Sequence, residues 1–220
     1  MTVPTDLPNA SARIAWPSLK RGLVAILRGI GPDHAETVVA GLIEAGFEAI
    51  EIPLNSPEPF RSIEMAAKLA PSGVLIGAGT VLSPEAVDRL AAAGGGLLVS
   101  PNVDAAVIAR AAAHGMVTMP GVFTPTEAFQ AIAAGASALK FFPAGVLGRT
   151  GVSAIMAVLP KEIPVGVVGG VSDGDFAGFA EIGVRTFGLG SSLYKAGLDP
   201  AEVIRRGRAA VAAYDAAFAR

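Results

Sequence analysis

At 220 residues, 52% of them hydrophobic and 16% charged, the chain can bury a sizeable core. A net charge of −2, a pI near 5.7 and no basic stripe argue against a nucleic-acid partner, and no apolar run reaches the ~20 residues of a bilayer crossing. There is no cysteine, which excludes disulfides, thiolate metal ligands and a cysteine nucleophile and is compatible with the cytoplasm.

Residues 1–22 read as an N-terminal extension. Met1–Pro8 looks like a frayed start without a secretory pattern, and Pro17–Arg21 reads as a short helix. One pattern then repeats to the end: an apolar strand, a Gly/Pro/Asn/Ser loop, and an Ala-rich amphipathic helix ending near a glycine. The strands are expected at Leu23–Gly29, Ala49–Asn55, Leu75–Val81, Leu97–Asn102, Val117–Val122, Ala138–Ala144, Pro164–Gly170 and Thr186–Ser192. Helix starts are marked by Pro32-Asp33, Ser56-Pro57, Ser83-Pro84, Asn102 with Asp104, Thr124-Pro125, Gly148, Ser172-Asp173 and Asp199-Pro200. Gly46, Gly94, Gly115, Gly135 and Gly183 fit helix C-termini. Eight such units without a composition break predict one closed parallel (β/α)8 barrel, a TIM barrel, over residues 23–220. An open doubly wound sheet is the alternative. It would usually carry a Gly-rich dinucleotide loop after the first strand, and Leu27–Pro32 is not one.

In a barrel the polar residues at the C-terminal strand ends are the ones to examine. Lys140 interrupts an apolar strand, where a charged ammonium is costly and a neutral amine is a nucleophile. The other reading is a strand-end lysine snorkelling into water. Alternation puts Glu51, Pro53 and Asn55 on one face and Ile50, Ile52 and Leu54 on the other, so Glu51 points inside as a general acid/base or a structural ion-pair partner. Arg28 is either a carboxylate clamp or a rim arginine tied to a neighbouring loop. Thr80 follows glycines that permit close backbone approach. Gly169-Gly170 and Gly190-Ser191-Ser192 close the last two strands, as a phosphate cradle or as plain turns. His34 and His114 form no metal set, and Trp16, Met116, Met119 and Met156 read as packing.

Taken together, Leu27-Arg28-Gly29, Glu51–Pro57, Gly77–Val81, Ser100-Pro101-Asn102, Pro120-Gly121, Lys140–Pro143, Val168–Val171 and Gly190-Ser191 resemble the class I 2-keto-3-deoxy-6-phosphogluconate and phosphogalactonate aldolases. The likeness runs in order from about Leu23 to Tyr194. It implies a Schiff-base (β/α)8 aldolase without metal or cofactor, acting on a phosphorylated 2-keto-3-deoxy sugar acid, homotrimeric and cytoplasmic, with no nucleic-acid or membrane partner. Lys140 then matches the Schiff-base lysine and Glu51 the acid/base. Arg28 and Thr80 match positions near the pyruvyl carboxylate, Pro101 and Phe142 the lining of the pyruvyl methyl, and Gly169, Gly170, Gly190 and Ser191 the phosphate site. Val168 stands where phosphogluconate aldolases commonly carry threonine, which leans toward the galactonate substrate. The alternatives are the gluconate epimer, 4-hydroxy-2-oxoglutarate, a phosphosugar isomerase or synthase barrel, and a non-catalytic phosphosugar-binding barrel.

Overall fold

A computed structural model describes residues 13–219; the expected frayed start, Met1–Pro8, lies outside the described residues. Strands and helices alternate as β1 (Leu23–Ile26), α1 (Pro32–Ala45), β2 (Ala49–Pro53), α2 (Pro59–Leu69), β3 (Leu75–Gly79), α3 (Pro84–Ala92), β4 (Leu97–Val99) and α4 (Ala105–Ala113). They continue as β5 (Val117–Met119), β6 (Gly121–Val122), α5 (Pro125–Ala133), β7 (Leu139–Phe141), α6 (Ala144–Met156), β8 (Val165–Val168), α7 (Phe176–Glu181), β9 (Thr186–Leu189) and α8 (Pro200–Phe218). All pairings are parallel, in the order β5-β4-β3-β2-β1-β9-β8-β7-β6. β5 and β6 are the two halves of the expected strand Val117–Val122, parted at Pro120, which has no N–H for a ladder. β5 pairs with β4 and β6 with β7, so this split strand joins the two ends of the sheet into a barrel.

Strand alternation separates two apolar zones. Outward residues such as Ile50, Ile52, Ile76, Leu98, Leu139 and Phe141 pack against the helices. Inward residues Val24, Ala49, Leu97, Val99, Val117, Met119 and Ala138 fill the barrel, and Ile14, Trp16 and Leu19 pack onto them. That plug corrects the expected helix at Pro17–Arg21, which is not helical. Its would-be helical donors go elsewhere: Leu19 N–H bonds to the Pro17 carbonyl, and Lys20 and Arg21 N–H to the Glu48 carboxylate. The chain entering the barrel floor thus spends its backbone groups on β2's approach rather than on itself.

Two helix starts also differ. α2 begins at Pro59 with Glu58 as its N-cap, beyond the expected Ser56-Pro57, because Ser56 Oγ accepts from Gly29 instead. Gly148 is a kink (φ 64°) inside α6 rather than its start. The caps at Ser83, Asp104 and Asp199 accept from their own first turns, and Thr124 forms a full capping box with Glu127. Gly46, Gly94, Gly115, Gly135 and Gly183 all take positive φ just past a helix. Among the described residues no helix is long and apolar enough to cross a membrane.

Except for Val117–Val122, which ends at Val122 as expected, the strands stop earlier than expected, leaving Arg28, Asn55, Thr80, Pro101, Phe142, Gly169-Gly170 and Gly190-Ser191 in loops at one end of the barrel. A β strand ends where its neighbour's ladder ends. These residues therefore lie beyond the regular strands, held at the barrel mouth by loop hydrogen bonds such as Phe142 N–H to the Val122 carbonyl and Arg28 to Asn55.

Candidate active site

Lys140 and Glu51 both point into the barrel, and their strand neighbours make the room. Lys140 lies in register with Gly121 on one side and Gly166 on the other, while Glu51 lies beside Gly77. Residues in register share a face, so three missing side chains surround the two long polar ones. Lys140 is 6% exposed and Glu51 2%. Burial pushes the Glu51 carboxyl up to about 7, against the pull of the Lys140 and Arg28 charges and of a hydrogen bond donated by the Gly79 N–H. Burial likewise holds Lys140 below the ordinary lysine range, with Glu51 opposing and Arg28 adding to the shift. Glu51 Oε2 has no hydrogen-bond partner among the described residues. An unpaired buried carboxyl oxygen beside an amine of lowered pKa can accept and return a proton.

The flanking groups follow from the loops. The Lys140 ammonium position is 4.6 Å from the centre of the Phe142 ring, and the Phe142–Pro143 peptide is cis. Arg28 is exposed after β1; it donates to Asn55 Oδ1 and lies 3.4 Å from Thr80 Oγ1 through both terminal nitrogens. Thr80 holds a left-handed backbone (φ 58°), an uncommon conformation for a β-branched residue. Pro101 is half-buried after β4, and its carbonyl packs against Gly121.

Val168 and Gly188 are in register, so Gly169-Gly170 and Gly190-Ser191 leave adjacent strands at nearly the same height. Gly169 (φ 85°) and Gly170 (φ 73°) are both left-handed, and a Cβ on Gly169 would run into the Phe142 ring. Ser192 Oγ donates to the Val171 carbonyl at 3.1 Å, tying the two loops together. Val168 is 6% exposed at the end of β8 and presents no hydroxyl. The histidines lie apart from this cluster. His114 is bonded to Asp88, which also holds Arg110, and His34 is half-exposed in the first turn of α1.

Asn55, expected only on the same face as Glu51, and Gly79, expected only to permit close approach, join the site as well. Asn55 holds Arg28, and Gly79 leaves the space that the Glu51 carboxyl fills. The signal for Asn55 was its place four residues after Glu51 on the same strand face. Gly79 carries no chemistry of its own to read.

The profile of the KDPG and KHG aldolase family matches residues 18–209. A protein of Rhizobium meliloti described as a probable 2-dehydro-3-deoxy-6-phosphogalactonate aldolase is 63% identical over 206 residues, 94% of this chain and 97% of its own length. The 2-dehydro-3-deoxy-6-phosphogalactonate aldolase of Escherichia coli is 48% identical over 89% of this chain and 95% of its own. A solved structure described as native KDPGal superimposes with a TM-score of 0.89 at 47% identity, over 92% of this chain and 98% of that one.

Proposed function

This chain belongs to the KDPG and KHG aldolase family and is an aldolase, a carbon–carbon lyase, and from that premise we propose how and on what it acts. The substrate is 2-dehydro-3-deoxy-6-phosphogalactonate, cleaved to pyruvate and D-glyceraldehyde 3-phosphate through an imine on Lys140. The observation that carries the mechanism is the buried Lys140–Glu51 pair, in which burial favours the neutral amine that must attack.

Lys140 Nζ adds to the C2 ketone to give a carbinolamine. Loss of water, with Glu51 supplying the proton to the departing hydroxyl, leaves an iminium. When Glu51, now a carboxylate, takes the C4 hydroxyl proton, the C3–C4 bond breaks, its electron pair moves into the iminium, and the aldehyde departs. Glu51 returns a proton to C3 of the enamine, and water releases pyruvate and the free amine. Arg28 and Thr80 receive the carboxylate, Pro101 and Phe142 line the C3 side, and Gly169, Gly170, Gly190 and Ser191 hold the phosphate. Binding at both ends converts remote contacts into alignment of the C3–C4 bond.

The galactonate preference is supported by the names of the two relatives and by the apolar Val168 at the β8 mouth. A hydroxyl donor there would favour one C4 configuration by ~1–3 kcal/mol. The homotrimer that the resemblance implies would cover exposed apolar side chains such as Val146, Phe123 and Phe129. A doubly charged phosphate ester does not cross a bilayer unaided, which favours a cytoplasmic location.

Borohydride reduction in the presence of pyruvate tests the imine. Inactivation with a pyruvyl adduct on the peptide containing Lys140 is the expected result, and an unmodified peptide refutes it. Pyruvate release from both C4 epimers tests the substrate. A faster rate with the galactonate is expected, and equal rates would assign the broader phosphogluconate and phosphogalactonate activity.

A further inference from the structure

Arg28 is a cation on a long flexible stem at the rim of the barrel, and it is anchored by neutral groups. Asn55 Oδ1 accepts from its Nη1, and Thr80 Oγ1 lies 3.4 Å from Nη1 and Nη2. Among the described residues no carboxylate is paired with it. The two loops meeting here are tied a second time, since Gly29 N–H donates to Ser56 Oγ at 2.9 Å and Ser56 is buried. Ser56 N–H in turn bonds to the Pro53 carbonyl, which sets the turn that carries Asn55. The loop after β2 therefore grips both the backbone and the head group of the loop after β1.

We propose that Asn55 is a positioning residue, whose side-chain carbonyl holds the Arg28 guanidinium over the barrel mouth to receive the substrate carboxylate. This deepens the function proposed above and rests on it. The residue type suits the task. An amide oxygen fixes the fork by a hydrogen bond but leaves its positive charge uncompensated. A carboxylate at 55 would fix it equally well and cancel the charge the substrate needs. A guanidinium has five N–H donors, so those not turned to Asn55 and Thr80 stay available for a bidentate contact. Without Asn55 the arginine regains its rotamers, and freezing them again falls to the substrate.

The test compares Asn55→Leu, close in size but without an acceptor, with the unaltered enzyme. Its readouts are the inhibition constants of the two products. Pyruvate carries the carboxylate and D-glyceraldehyde 3-phosphate does not. Loss of one hydrogen bond to a charged group predicts a pyruvate constant raised ~tenfold, with the aldehyde constant within about twofold. General damage to the fold would move both constants. In an Arg28→Ala background the same change at 55 is expected to have no further effect on pyruvate. An unchanged pyruvate constant in Asn55→Leu, or the full loss persisting without Arg28, would overturn the proposal. If Arg28→Ala itself left pyruvate binding intact, the carboxylate role assigned to Arg28 would fall instead, and the positioning role with it.

Discussion

Glu51 and Lys140 are buried in one barrel interior, and each pulls the other toward its charged form while burial drives both toward neutrality. Arg28, at the rim, acts on both in the same direction, lowering the carboxyl and the ammonium. The balance sets the Glu51 carboxyl at about 7, where a group that both donates and accepts a proton during one turnover is best placed.

The first prediction concerns pH and rate. With the Glu51 carboxyl raised to about 7 and needed protonated for the dehydration, kcat/KM should fall as pH rises through that value, reporting the pair as a unit. In Glu51→Gln this limb should vanish and turnover should fall by ~100-fold or more. A limb that persists in the variant would assign the titration to another group.

The second concerns pH and stability, and its sign is fixed by the direction of the shift. The folded state raises Glu51 from 4.5 to about 7, so it holds this proton more tightly than the unfolded chain does. The resulting stability is complete below the unfolded value and is lost as pH rises through the folded one. Glu51→Gln removes that loss. Its Tm should exceed that of the unaltered protein at alkaline pH, with the gap closing on acidification, as followed by circular dichroism. A gap that widens toward acid would reverse the assignment of Glu51 as protonated by burial.

Most of this site was legible because barrel strands alternate. Lys140 in an apolar strand and Glu51 opposite Ile50 and Ile52 could be placed inside from period two alone, and the helix-ending glycines from their spacing. Three features were not legible, each for a tertiary reason. Pro17–Arg21 has local helix signals, but its N–H groups are taken by Glu48, a partner 28 residues from Lys20. Val117–Val122 reads as one strand, yet Pro120 divides its pairing between two neighbours. The Asn55–Arg28 bond joins loops 27 residues apart; the sequence raised an arginine tied to a neighbouring loop, but no single-chain pattern names Asn55 as its partner.

The third prediction tests the strain at Thr80. A β-branched residue at φ 58° costs ~1–3 kcal/mol, and glycine adopts that conformation freely at an entropic cost of ~0.5–1 kcal/mol. Thr80→Gly should therefore stabilise the fold by about 1 kcal/mol, or ~2–4 °C in Tm for a domain of this size. It also deletes the oxygen beside Arg28, so the KM of the sugar acid should rise. A variant that gains stability with KM unaltered would make the strain incidental to binding.

The fourth sets two glycines of β3 against each other. A Cβ on Gly79 would collide with the Glu51 carboxyl, the free end of a flexible side chain, which can swing aside. A Cβ on Gly77 would collide with the Leu97 backbone carbonyl, its in-register partner on β4, which cannot move without opening the ladder. Gly79→Ala should therefore fold normally and lose ~100-fold in turnover through a displaced carboxyl. Gly77→Ala should lose stability outright, by the several kcal/mol typical of ~1–3 kcal/mol overpacking compounded by broken β3–β4 hydrogen bonds. Thermal denaturation and steady-state rates on both variants separate the cases. An active, stable Gly79→Ala would mean that the Glu51 carboxyl tolerates displacement, and the requirement for its exact place in the barrel would fail.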